Sequence, residues 1–333
     1  MRIAYSSEVL KLNAAAEVDR IADAIRTQVL ETLHRKGVVV GLSGGIDSSV
    51  TAALCVQALG KDRVFGILMP ELDSSPDSLN YGSLIAKSLG IQSTIENISP
   101  VLEAAGCYRR RDEAIRSVIP EYTGQYKCKI VLPGLGDGIA YSVFSVVVRS
   151  PEGVELRARL TADACRGIVA ATNFKQRTRK MMEYFYADRY GYAVAASPNR
   201  LEHELGFFVK NGDGAADLKP IVHLYKSQVF QLAAHLDIPR EIQQRTPTTD
   251  TYSMEQTQEE FYFSLPLHKM DLCLFGRDHD VPAEDTAEAV GLPVARVLQV
   301  YAQIDSKRAA TAYQRMEALL VEDRPHRAEI PKS

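Results

Sequence analysis

The residues best equipped for chemistry lie in one run, Gly41-Leu42-Ser43-Gly44-Gly45-Ile46-Asp47-Ser48-Ser49. Adjacent glycines allow positive φ and close approach of a ligand to the main chain. Successive N–H groups beside a helix N-terminus then form a nest for an anion, here a phosphate. The run lacks the Gly-Lys-Ser/Thr of a Walker loop, and Asp47 stands where a Mg²⁺ ligand would be useful. The plainer alternative is a glycine turn that only seats a helix against a sheet. The pattern Ser-Gly-Gly-x-Asp-Ser between a strand and a helix favours the phosphate site.

Such a loop needs a strand before it and a helix after it. Val38-Val39-Val40 reads as a short buried strand, and a helix is expected from the loop through Leu59, stopping at Gly60. Upstream, Val18, Ile21, Ala22, Ile25, Val29 and Leu33 recur at helical spacing. Downstream come a strand over Val64–Met69, a helix from about Ser78 to Leu89 and a strand over Gln92–Ile98. This alternation predicts an α/β fold: a Rossmann-like parallel sheet with helices on both faces.

Between about Ile119 and Thr161 the alternation breaks. Lys129–Leu132, Tyr141–Val148 and Val154–Leu160 read as strands, parted by turn signals at Pro133-Gly134, Gly136-Asp137-Gly138 and Pro151-Glu152-Gly153. Residues 119–161 therefore read as a small antiparallel β insertion within a single domain spanning 1–333. Phe144, Val146 and Val148 alternate with Ser145 and Val147, so apolar residues fall on both faces of that strand. A helix is expected over Ala162–Arg189, a core strand over Tyr192–Ala196, and helices after His223 and Pro293.

Lys plus Arg number 39 and Asp plus Glu 42, a net charge of −3, so composition suggests no general affinity for nucleic acid. The apolar fraction of 46% is that of an ordinary globular protein. Cys55, Cys107, Cys128, Cys165 and Cys273 are scattered, with no C-x-x-C pair, which fits reduced thiols and a cytoplasmic setting. The N-terminal residues carry no apolar run of signal-peptide length, and the apolar stretch Ile130–Val148 is interrupted by Pro133 and Asp137. No membrane span is expected.

The loop resembles the pyrophosphate loop of the N-type ATP pyrophosphatases, whose adenine nucleotide alpha hydrolase-like fold and adenylating half-reaction it implies. Further motifs narrow the resemblance. Asn173-Phe174-Lys175-Gln176-Arg177-Thr178-Arg179 is similar to the N-x-K-x-R-x-R segment of ammonia-dependent NAD synthetases. Ala196-Ser197 through Glu202 resembles their G-T-x-x-x-x-E, and Gly206-Phe207-Phe208-Val209-Lys210 through Asp217 their G-F-F-T-K-x-G-D-G-G-A-D. Leu224-Tyr225-Lys226-Ser227-Gln228 answers L-T-K-x-Q, and Thr246-Pro247-Thr248 the P-T element. The motifs keep the family's order, and the likeness covers roughly residues 10–105 and 168–310.

The resemblance implies an AMP-forming ligase that adenylates the carboxylate of deamido-NAD, releases pyrophosphate and amidates with ammonia. By position, Gly41, Leu42, Ser43, Gly44, Gly45, Ile46, Asp47, Ser48, Ser197, Lys226 and Thr248 would contact ATP. Asp47 and Glu202 would hold Mg²⁺, Asp47 and Lys226 would be catalytic, and Arg177, Lys210, Asp217, Ser306 and Lys307 would meet the acid. A homodimer is implied, with the acid at its two-fold interface and the helix Thr172–Arg189 contributing to it. With no room for an N-terminal glutaminase, ammonia is expected from solution or from a separate glutaminase. The chemistry is coherent without the name: a carboxylate is a poor acceptor because its leaving group is oxide, and attack on the α-phosphate turns that group into AMP. Two anions must meet, which calls for cations.

Structural alternatives stand beside these roles. Lys175 and Arg177 could be solvated surface charges, Glu202 could pair with Arg200 or cap a helix, Lys226 could be a surface lysine, and Asp213 could be only a turn residue. The chain also departs from the family pattern: Ala196-Ser197 replaces Gly-Thr, Ser306-Lys307 replaces His-Lys, and Gln258-Glu259 replaces Asp-Glu, with Phe263 where a glycine is usual. These changes leave room for a related ligase acting on a different carboxylate. A tRNA-thiolating relative would want a basic surface and a site cysteine, which the charge and the scattered thiols disfavour. A nucleotide-binding protein without catalysis is disfavoured by the retention of Asp47, Glu202 and Lys226.

Overall fold

The computed structural model describes residues 5–131, 144–249, 251–263 and 265–321. Asn13 opens α1 (Ala14–Arg26) by accepting the Ala16 amide, and Val18, Ile21, Ala22 and Ile25 form its buried face. A π-helical turn, Thr27–Thr32, prolongs it and buries Val29, so the expected amphipathic helix widens over its last turn.

Strict alternation follows: β1 (Val38–Gly41), α2 (Ile46–Leu59), β2 (Val64–Leu68), α3 (Pro76–Leu89) and β3 (Gln92–Ile95). Gly60, at φ 82°, ends α2 as expected. Two short helices that the apolar spacing left unassigned come next, α4 (Ser99–Ala104) and α5 (Cys107–Arg116). Then come β4 (Lys127–Val131), β5 (Ser145–Arg149), β6 (Glu155–Arg159), the 29-residue α6 (Ala162–Tyr190) and β7 (Ala193–Ala195).

β1, β2, β3 and β7 form one parallel sheet in the order β3-β2-β1-β7. β1 alternates between two cores. Val38 and Val40 join Ile21, Val50, Leu54 and Ile85 on one face, while Val39 joins Phe65, Ile67, Val194 and Tyr186 on the other. Helices thus cover both faces, as a parallel sheet requires. The chain winds from β1 out to β3 and returns with β7 on the opposite side of β1. The crevice beyond the C-terminal ends of β1 and β7 is the topological switch point.

β4, β5 and β6 form a separate antiparallel sheet in that order. The insertion expected at 119–161 is therefore three-stranded. The turn signals Pro133-Gly134 and Gly136-Asp137-Gly138, and the first residues of the strand read at 141–148, lie outside the described residues. Val146 and Val148 pack with Ile115, Tyr122, Cys128, Ile130 and Ile168, whereas Val147 packs with Val131 and Met254. Both faces of β5 are covered, which explains its weak alternation.

The chain continues through α7 (Arg200–Leu205), α8 (Lys226–His235), α9 (Arg240–Gln243), α10 (Leu267–Asp278), α11 (Ala283–Val290) and α12 (Val294–Arg315). α10 to α12 build a core of their own around Leu201, Leu205, Leu272, Leu274, Val297 and Ile304. Among the described residues no helix is long and apolar enough to cross a membrane.

Candidate functional site

The glycine loop leaves β1 at Gly41 and enters α2 at Ile46, and it is tied mostly to itself. Ser43 Oγ lies 3.1 Å from Ser48 Oγ and accepts the Gly45 amide at 3.3 Å. The hydroxyls of Ser48 and Ser49 donate to the Gly45 carbonyl at 3.0 and 2.9 Å. Gly44 sits at φ 73°, and a Cβ there would fall 2.6 Å from the Ser78 carbonyl oxygen. Only glycine lets the turn pass this close to α3. Gly45 caps α2 without a side-chain hydrogen bond, so first-turn amides remain for an anion.

A cavity of about 520 Å³ opens at this point, lined among others by Gly41, Leu42, Ser43, Gly45, Ile46, Asp47 and Ser48. Ser197, Glu202, Lys226 and Thr248 line it as well, so four elements distant in sequence converge on the switch point. Gly44 is the one residue of Gly41–Ser48 that turns away from the cavity lining.

Lys226, the first residue of α8, is buried, and its ammonium is paired with Asp47 Oδ2. Burial alone would depress that ammonium, but the carboxylates of Asp47 and Glu202 outweigh it and lift its pKa above the ordinary lysine value. The surface-lysine alternative is therefore wrong. Glu202 is pushed up to about 8, first by desolvation and then by the charge of Asp47. Asn199 joins the two acids: its Nδ2 donates to Asp47 Oδ1 at 3.1 Å, and its backbone N–H donates to Glu202 Oε2 at 3.2 Å. Glu202 does cap a helix, through a capping box with Asn199 at the start of α7, and it also lines the cavity. Its other oxygen accepts from Gln258 Nε2 at 3.1 Å, while Arg200 pairs with Asp278 instead.

The residues assigned to the acid are placed differently, and none of the five lines the cavity. Arg177 Nε donates to the Lys210 carbonyl at 3.2 Å. Lys210 Nζ donates to the Tyr313 and Met316 carbonyls at 2.8 and 3.0 Å. Asp217 accepts the Val194 amide at 2.8 Å and the Tyr184 hydroxyl at 3.3 Å, which ties it to β7. Ser306 is exposed on α12. Lys307 lies 3.8 Å from the centroid of the Tyr262 ring and donates to the Tyr262 carbonyl; Tyr262 itself lines the cavity. Desolvation lowers the Lys307 ammonium to about 8. Asp213 is a turn residue that accepts the Val209 amide at 2.7 Å, and it too lines the cavity.

Lys175 is neither solvated nor open to a ligand. Its ammonium is fully buried and donates to Glu71 Oε1 at 2.9 Å, Asp73 Oδ2 at 2.6 Å and the Thr251 carbonyl at 2.7 Å. Arg111 pairs with the same Asp73 and with Asp112. Arg245 and Asp271, which brace the site, were not singled out from the sequence. Arg245 donates to the Gly44 carbonyl at 3.3 Å and Ser78 Oγ at 3.1 Å, pinning the loop against α3. Asp271 accepts the backbone amides of Lys226 and Ser227 at 3.2 and 2.7 Å and so fixes the start of α8; burial raises it to about 6. The residue next to a Thr-Pro-Thr run offered a faint cue for Arg245, and Asp271 offered none.

A glycine loop opening on a crevice at the switch point of a parallel sheet is the architecture of the α/β nucleotide-binding class. The sequence profile of the NAD synthase family matches residues 17–119 and 154–317. The chain is 53% identical over 321 residues to the NH(3)-dependent NAD(+) synthetase of Rhizobium meliloti (strain 1021), covering 96% of both chains. It is 55% identical over 312 residues to that of Mesorhizobium japonicum, covering 94% of this chain and 98% of the relative. Among solved structures, NMN synthetase from Francisella tularensis shares the fold with a TM-score of 0.62 at 22% identity, over 93% of this chain and 99% of that one. This chain belongs to the NAD synthase family. Residues 120–153 fall between the two profile matches, and the Rhizobium alignment is too extensive to leave all of them out.

Proposed function

We propose that this protein is an ATP-dependent amide ligase that converts deamido-NAD to NAD with ammonia. The observation that carries the reading is the convergence of Asp47, Lys226 and Glu202 on one cavity with the uncapped N-terminus of α2. A carboxylate oxygen of the acid attacks the α-phosphorus of ATP, and the bond to pyrophosphate breaks. Loop amides and Lys226 take up the charge on the departing group. Ammonia then attacks the acyl carbon, AMP leaves with the C–O bonding pair, and the new amide loses a proton. Ser197 and Thr248, at the cavity wall, would hold the nucleotide.

The donor set suits Mg²⁺. Asp47 and Glu202 offer hard carboxylate oxygens to the same cavity, and a cation beside Glu202, raised to about 8 by burial, would favour its ionised form. Among the described residues no cluster of three or more such side chains converges, so phosphate oxygens would complete the shell. Bound there, Mg²⁺ would neutralise phosphate charge as the two anions approach.

Residues 1–333 would act as one domain, with 119–161 as an accessory sheet, in the cytoplasm and as a homodimer. Met181 and Phe185, one turn apart on α6, are exposed and support the dimer. A partner seated on α6 would bring Arg177, Lys210 and the acid within reach of each other. Ammonia would come from solution or from a separate glutaminase.

Purified protein given ATP, Mg²⁺, ammonium and deamido-NAD should form NAD, AMP and pyrophosphate in equal amounts. A second reading, a different acid, is favoured by the absence of the five acid-binding candidates from the cavity lining and by the fold shared with an NMN synthetase. Nicotinate mononucleotide is therefore the comparator. Turnover with it and not with deamido-NAD would establish that reading, and no AMP with either acid would sink both.

A further inference from the structure

The segment 248–263 supplies Thr248, Thr249, Thr251, Tyr252, Gln258, Phe261 and Tyr262 to the cavity wall. Its described residues have little regular structure beyond an isolated bridge between Thr248 and Thr257 and a π-helical turn at Glu259–Phe263. Such a segment keeps its place only through bonds to something rigid. Much of what holds it belongs to the inserted sheet. The Met254 amide donates to the Cys128 carbonyl at 3.1 Å, and the Cys128 amide donates to Ser253 Oγ at 2.9 Å. Gln256, buried, donates through Nε2 to the Ile130 carbonyl at 2.6 Å, and Lys129 pairs with Glu260 at 2.6 Å. Tyr252 packs into the core of the insertion with Tyr122, Ile130 and Val148, and Met254 packs on Val131 and Val147. Ile130 and Phe144 also reach the cavity directly.

We infer that the β4–β6 sheet is a clasp that holds the 251–263 wall in its binding geometry, with Gln256 as its main positioning residue. The clasp acts on the acid side of the cavity. The phosphates of ATP would have their own anchor in the glycine loop, which passes close to α3, accepts from Arg245 and, among the described residues, makes no hydrogen bond to the insertion. Two of the clasp's strands, β4 and β5, lie between the two stretches that the family profile matches, and the third, β6, lies at the start of the second. The assignment of an acid side rests on the proposed function.

Hydrogen exchange across 251–263, with no substrate present, tests the clasp independently of that reading. In Gln256→Leu, exchange in this segment should accelerate about tenfold, as expected for the loss of one buried hydrogen bond, while β1 and α2 keep their protection. Steady-state rates should show KM for the acid up about tenfold and KM for ATP within about twofold, with saturating acid restoring most of kcat. Ser253→Ala, less buried, should show the same pattern more weakly and guards against a Gln256 variant that fails to fold. Unchanged exchange at 251–263 in both variants would overturn the clasp. So would equal rises in both KM values, the mark of general damage. A wild-type protein that makes no NAD would refute the proposed function and leave the exchange result standing.

Discussion

Replacing Lys175 by Met tests whether this lysine serves the fold or the substrate. Its ammonium is the hub of a buried set containing Glu71, Asp73, Asp112 and Arg111, so two cations face three carboxylates. Methionine matches the length of the stem but leaves one cation against three acids, two of which have lost a donor at 2.9 and 2.6 Å. Breaking a buried pair from one side costs about 3–5 kcal/mol, because the remaining charges have neither water nor a partner. At about 2.1 cal/mol/K per residue, a 333-residue chain has an unfolding entropy of about 0.7 kcal/mol/K, so the melting temperature should fall by about 4–7 °C. Calorimetry on the purified variant reads this directly. Adding Asp73→Asn removes one of the stranded charges and should recover part of the loss, a coupling that a double-mutant cycle isolates. A Lys175→Met protein melting within about 1 °C of wild type would refute the reasoning, since no fully buried hub could be deleted so cheaply.

Asp47→Ala should lower ATP-to-AMP turnover by at least about a hundredfold, yet keep the fold, because Glu202 is at hand to ionise beside Lys226; circular dichroism and an AMP assay check both halves. Lys307 holds fewer protons folded, at about 8, than unfolded at its ordinary value, so its contribution to stability should rise with pH between about 8 and 10.5, by as much as about 3 kcal/mol. Denaturant titrations of both proteins should show the stability difference, wild type minus Lys307→Met, moving in favour of wild type from pH 8 to pH 10. The difference is the readout because buried thiols such as Cys55 and Cys273, raised on folding, pull the other way in both proteins. If the proposed dimer forms through α6, light scattering at micromolar concentration should read a dimer for wild type and a folded monomer for Phe185→Glu, and a monomeric wild type would refute it.

What could be read from the sequence was local. The glycine loop, its strand and its helix were legible because strand, turn and helix cap are neighbours in the chain, and Gly60 marks the end of α2 as plainly as Gly44 marks the turn. The cap made by Glu202 stood among the alternatives, and the structure supplies its partner in Asn199, three residues earlier at capping-box spacing. Lys175 was misread because nothing around it on α6 announces burial. Its partners Glu71 and Asp73 come from the segment after β2, about a hundred residues earlier, and only the packed fold brings them under the helix. Arg245 and Asp271 were missed for the same reason: each acts on an element far away in sequence, one on the loop and one on the amides of α8. The weak alternation of β5 did carry information, because a strand with apolar residues on both faces must be covered twice. The second cover is Met254, in the segment that walls the cavity. The inserted sheet is therefore built into the site by the same two-faced burial that blurred its pattern. A variant that cleans up the alternation, such as Val147→Thr, should loosen the cavity wall before it loosens the sheet.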